Sequence, residues 1–213
     1  MKGLLTKDFA LFFQRKRTFL FLAVWAIVMC FALNDGSFAI GWMTIIASFF
    51  AVSSITYDEY DNCYPFLMSF PVTGKIYALE KYLFGFICGM GAWVYAVIIY
   101  FIYGAVTGSI GSLQEELASV AVFIPVFMLL IDISLPLNIK YGTEKGRIAI
   151  FVIWGVLFVG FFLLTKVLKM EISMAWLKDL NLTLLVPALL AFIAVLTVVS
   201  IAISVGAMTK KEF

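Results

Sequence analysis

LASVAVFIPVFMLLIDISLPL, residues 117–137, is 21 residues long and carries one charge, Asp132. A helix of that length rises about 30 Å, which is the thickness of a bilayer's hydrocarbon core. The run is therefore expected to cross a membrane. Five others share its character, at about 18–34, 38–56, 82–106, 147–165 and 182–207, the first being the shortest. Composition points the same way: 64% of the 213 residues are hydrophobic and 13% charged, against about 25% charged in a soluble domain. A water-soluble fold of this size has too little interior to hide so much apolar surface. The expected fold is all-α: a polytopic membrane protein of six transmembrane helices, forming one domain over 1–213.

Charge placement sets the expected orientation. With the N-terminus inside, the inner segments hold Lys2, Lys7, Arg15, Lys16, Arg17, Lys75, Lys81, Lys140, Lys145, Arg147, Lys210 and Lys211, and the outer ones only Lys166, Lys169 and Lys178. Twelve against three places both termini in the cytoplasm. Residues 1–17 begin with a basic stretch, but the Arg15–Arg17 cluster follows an amphipathic segment and no small-residue cleavage pattern comes after it. We expect a retained N-terminal helix lying in the inner interface, with Lys and Arg toward anionic lipid. A cytoplasmic extension of the first span is the alternative. A second short amphipathic piece is expected around Trp176 on the outer face.

The residues that commonly carry chemistry are sparse. Histidine is absent, which removes the commonest general base and metal ligand and the HExxH pattern with them. Cys30, Cys63 and Cys88 form no CxxC pair and read as small hydrophobes. No GxxxxGK[ST] phosphate-binding loop exists, and Glu115-Glu116 lacks the partners of an intramembrane protease and reads as solvated loop. We expect no catalytic residue, no metal site and no cofactor bound by this chain. The net charge of +2 gives no ground for nucleic-acid binding.

Asp132 is the one acid inside a span, and such an acid is a functional candidate. One turn before Pro136, it has a plainer reading as a group reaching interfacial water or Lys140. Proton and ion relays use several such groups, and no internal repeat is visible, so an ion-driven secondary transporter is disfavoured. Gly85, Gly89 and Gly91 allow close helix approach, within one subunit or between two.

The segment joining the second and third spans, 57–81, holds Asp58, Glu59 and Asp61, then the apolar stretch Tyr64–Phe70, then Pro71 and Lys75, then Glu80-Lys81. YPFLMSF is too short to span and too apolar to stay in water, so it should be docked. Pro71 ends it, and a new helix should begin near Thr73. The plain reading is a connector lying on the membrane; the sharper one is a docking helix for a cytoplasmic partner.

The ordered set Asp58, Glu59, Leu67, Ser69, Pro71, Val72, Lys75, Lys81, Tyr82 and Leu83 resembles the ABC-2 type permease subunits of bacterial ABC exporters. So does Leu135-Pro136-Leu137 followed by Lys140, Tyr141, Gly142, Thr143, Glu144, Lys145, Gly146 and Arg147, as do Lys7-Asp8 and the closing Lys210-Lys211. The resemblance covers essentially the whole chain. It implies a multi-pass subunit of the bacterial cytoplasmic membrane that pairs with a second copy or a sister permease. It also implies two separate ABC ATPase subunits, which bind the ATP and magnesium. Asp58, Glu59, Asp61, Tyr64, Phe66, Leu67, Ser69, Pro71, Lys75 and Lys81 would form the ATPase-coupling loop. Pro136, Lys140, Tyr141, Gly142, Lys145 and Arg147 would form a second cytoplasmic turn. The implied cargo is amphipathic or hydrophobic, such as a peptide toxin or peptide antibiotic. The very short outer loops depart from larger members and leave no large receiving domain. The competing reading is a non-transporting membrane protein, an immunity or assembly factor.

Overall fold

The computed structural model describes residues 1–60, 63–69, 72–108, 112–163 and 182–211, and among them the chain forms nine α-helices and no strand. They are α1 (Lys2–Gln14), α2 (Lys16–Leu33), α3 (Ser37–Glu59), α4 (Cys63–Met68), α5 (Gly74–Thr107), α6 (Leu113–Ala121), α7 (Phe123–Tyr141), α8 (Thr143–Phe162) and α9 (Leu182–Thr209).

The breaks between helices follow from particular residues. Asn34 ends α2 in the left-handed conformation, φ 55°, which asparagine tolerates better than most side chains. Asp35 then accepts hydrogen bonds from the backbone N–H of Ser37 at 2.9 Å and from its hydroxyl at 2.6 Å, which opens α3. Thr73 caps α5 by accepting from the N–H of Ile76, so the helix expected near Thr73 starts there. Pro125, four residues after Ala121, cannot donate to the Ala121 carbonyl; the chain breaks at Val122, dividing α6 from α7.

Five helical segments are long and apolar enough to cross a membrane: Lys16–Leu33, Ser37–Glu59, Gly74–Thr107, Ser119–Tyr141 and Pro187–Thr209. The expected sixth span, 147–165, falls on α8, which opens with Glu144, Lys145 and Arg147 and whose continuation lies outside the described residues. The described residues therefore carry five candidate spans. The amphipathic piece expected around Trp176 also lies outside them.

The bundle is centred on α3, α5 and α7, with α9 packed along α7 and α5. Close approach explains two of the three glycines in α5. A Cβ at Gly89 would come within 2.6 Å of the Phe127 ring on α7, and one at Gly85 within 3.3 Å of Ile131 and 3.4 Å of Ala51. Both serve packing inside the subunit. Gly91 faces open space. Along the outside, α2, α8 and α9 expose Leu20, Phe21, Phe151, Val156, Val195 and Val198, side chains whose natural solvent is lipid.

Candidate functional site

The loop after α3 is held at both of its ends. Lys81, about two turns into α5, is completely buried, and its ammonium lies 2.5 Å from Asp8 on α1 and 2.7 Å from Asp58 on α3. Lys7 closes the figure, paired with Asp58 and 3.2 Å from Asp8. The Tyr77 hydroxyl donates to the second oxygen of Asp58 at 3.0 Å and approaches the Tyr64 hydroxyl at 3.4 Å. Three helices distant in sequence thus meet on one buried ammonium. Removing a charge from water is costly, and only partners of opposite sign at hydrogen-bond distance offset that cost. Glu80 is buried beside the cluster, 3.7 Å from the Lys81 ammonium, and neither of its carboxylate oxygens receives a hydrogen bond.

This arrangement corrects the expectation for α1. Its lysines were expected to face anionic lipid, yet Lys7 turns inward to Asp58, and Asp8 is buried against Lys81. On the same helix Leu5, Phe9 and Phe12 pack with Phe84 and Ala51.

Glu59, the next acid of α3, makes the second clamp. Its carboxylate accepts the N–H of Thr143 at 2.5 Å, at the first residue of α8. A carboxylate there satisfies an orphan donor and the positive end of the helix dipole. Gly142 joins α7 to α8 with φ +81°, and a Cβ on it would clash with Glu59. Four residues on, a Cβ at Gly146 would lie 3.0 Å from the Asn138 backbone. The glycines of the KYGTEKGR turn are thus demanded by backbone conformation and by close approach.

Between the clamps the chain forms α4, with Tyr64 buried and Phe66 65% exposed. Lys211, beyond α9, places its ammonium 4.9 Å from the centre of the Tyr64 ring. Burial pushes the Tyr64 phenol up to about 12 and lowers the Lys211 ammonium from its usual range. At the Glu59 clamp, Tyr60, Tyr141, Thr143 and Lys145 border a cavity of ≈ 480 Å³. Helix α1, the described residues of 57–81, the α7–α8 turn and residues 208–211 therefore share one end of the bundle.

Of the sequence-derived candidates, the structure joins Asp58, Tyr64 and Lys81 in one cluster and brings Glu59 to Gly142. Lys140 stacks over Tyr141 at 5.1 Å. Lys75 is exposed, and Lys145 and Arg147 lie in the first two turns of α8. Leu67 and Ser69 lie on and just after α4; Asp61 and Pro71 lie outside the described residues. Asp8, Lys7 and Tyr77 complete the cluster without having been singled out as site residues. The signal was a lysine at the apolar entrance of α5 with an aspartate on each of two other helices.

Asp132 occupies a second polar seam. It lies nine residues before the end of α7, about 13 Å inward, and it does not reach Lys140. Its carboxylate accepts from the Thr197 hydroxyl on α9 at 2.6 Å. Pro136 has no N–H to donate to the Asp132 carbonyl four residues earlier, and the Ser200 hydroxyl of α9 supplies the missing donor at 2.5 Å. The Tyr82 hydroxyl continues the seam to Ser200 and Ser204, at 2.6 and 2.9 Å. Pro136, expected in a turn, therefore lies inside α7, which runs on to Tyr141.

A family model described as ABC-2 family transporter protein matches residues 3–208. The chain belongs to the ABC-2 transporter family. It is a multi-pass membrane protein, and family membership makes it a permease of an ABC transporter. The match takes in both clamps, the α7–α8 turn and the Asp132 seam. No curated protein and no solved structure matches the chain.

Proposed function

We propose that this permease is the membrane subunit of an ATP-driven exporter, inserted in a bacterial cytoplasmic membrane with both termini inside. It pairs with a second copy or a sister permease and takes its energy from two separate ABC ATPase subunits. The cargo is amphipathic or hydrophobic, such as a peptide toxin or antibiotic. One observation carries the reading: the short helix α4 is exposed at Phe66 but clamped on both sides, to α1 and α5 through Lys81 and to α8 through Glu59. A partner pushing on α4 would move α1, α3, α5 and α8 together, because buried ion pairs and packed helices shift as units. An unclamped loop would absorb the push instead.

The test is affinity purification of the chain from its native membrane, with nucleotide hydrolysis as readout. The wild-type chain should bring down a P-loop ATPase, hydrolyse no ATP once stripped of it, and lose the association in Phe66→Glu with its helical content unchanged. ATP hydrolysis by the isolated chain, or undiminished association after substitution across 63–69, would refute the proposal.

A further inference from the structure

A groove of ≈ 540 Å³ opens between α1, α2, α3 and α5, within the size range of small-molecule sites, about 300–1,000 Å³. Its walls are apolar, and Lys16 is the one charged residue along it. Phe9 and Phe13 of α1, Met43 of α3, and Gly91 and Ala92 of α5 line it. The room exists because of those small residues, since nothing lies within 4 Å of a Cβ at Gly91. The groove follows α2 from Lys16 to Ala23 and α5 from Ile87 to Tyr95, a run of about 10–12 Å along the helices. It is apolar and runs along the helices, with a cation at one end.

We propose that this groove holds one acyl chain of an anionic phospholipid, with the headgroup phosphate on Lys16 and Arg17. Three observations select this occupant. An apolar cleft inside a bilayer is filled by hydrocarbon, since water finds no polar partners there. Lys16 stands at one end of the groove with Arg17 next to it in sequence, where they would meet a headgroup, and neither has an ion-pair partner among the described residues. Their neighbour Arg15 is turned away, stacked 5.3 Å over Tyr57 of α3. One wall of the groove is α1, the helix that Asp8 ties to Lys81, so an occupant would set the seat of α1 against the loop clamp. Binding itself does not depend on the transport reading.

The test is native mass spectrometry of the purified full chain titrated with phosphatidylglycerol or phosphatidylcholine. Each variant is first checked for monodispersity and thermal unfolding. The wild type should retain one phosphatidylglycerol more tenaciously than phosphatidylcholine. Lys16→Ala with Arg17→Ala should weaken the anionic lipid alone, by about fivefold for each cation lost. Gly91→Phe should fill the groove and weaken both lipids, and Ala92→Leu serves where Gly91→Phe does not fold. Equal retention of the two lipids by the wild type, or wild-type retention by the groove-filling variant, overturns the proposal. If Gly91→Phe instead dissolves a dimer without changing lipid retention, the occupant is a second copy of the chain, and the proposal is again overturned. ATPase association plays no part in the readout, so failure here leaves the function proposed above untouched.

Discussion

Lys81→Met removes the ammonium on which three helices converge and keeps most of the side chain's volume. In the wild type two buried carboxylates lie within 2.7 Å of that ammonium. In the variant Asp8 and Asp58 share only Lys7, which is the more exposed of the two lysines. Breaking a buried ion pair by deleting one partner costs about 3–5 kcal/mol, because the other charge is left uncompensated. For a chain of this size that corresponds to a fall in melting temperature of about 6–20 °C. Thermal unfolding in detergent, followed by circular dichroism, gives the single-variant value. The stronger measurement is a cycle: Asp8→Asn and Asp58→Asn added to Lys81→Met should recover most of the loss, since the two carboxylates that the ammonium held at hydrogen-bond distance are then neutral. A loss under about 1 kcal/mol for Lys81→Met, or no recovery in the triple variant, would refute the view that a desolvated ion cluster holds α1 to α3 and α5.

Three further outcomes are expected. Ser200→Ala should cost about 1–3 kcal/mol by leaving the Asp132 carbonyl without a donor. The cost should shrink in a Pro136→Ala background, where the helix supplies its own N–H; unfolding of the four proteins measures the coupling. Gly142→Ala should destabilise more than Ala at the open position Gly91, because it adds an unfavourable φ to a clash with Glu59; paired melting curves decide. Tyr64 should show an alkaline signature. With its phenol raised from 10.0 to about 12 in the folded protein, the stability it contributes is fully present below pH 10 and is lost as pH rises through about 12. Tyr64→Phe should remove that component from the alkaline unfolding profile.

Much of the architecture is legible in the sequence because membrane spans depend on length and apolarity, which need no partner to be recognised. The break between the runs 18–34 and 38–56 is of this kind, while Pro71 marks the start of α5 near Thr73 and the lysine and arginine count groups Lys140–Arg147 with Lys75 and Lys81. The inward turn of Lys7 and Asp8 is not. An amphipathic segment with lysines looks the same whether its charges face lipid headgroups or an acid and a lysine 50 and more residues away. Asp132 makes a similar point: its partners Thr197 and Ser200 lie on α9, and only the crossing of α7 with α9 joins them. Pro136 misleads because proline usually ends a helix, whereas here a hydroxyl from a neighbouring helix makes good the lost donor.

Helix α5 is 34 residues long, about 51 Å of unbroken rod against a hydrocarbon core of about 30 Å. With its span expected at 82–106, the surplus falls mainly at the Lys81 end, beside the clamped loop. A rod longer than the slab it crosses is a lever: a tilt of about 5° about its midpoint would carry each tip roughly 2 Å, as far as helices slide in switching interfaces. With Gly85 and Gly89 pressed on α7 near the midpoint, the fulcrum lies where the two helices touch most closely. A small thrust at the Lys81 end would then emerge as opposite travel at Thr107, at the far end of the span.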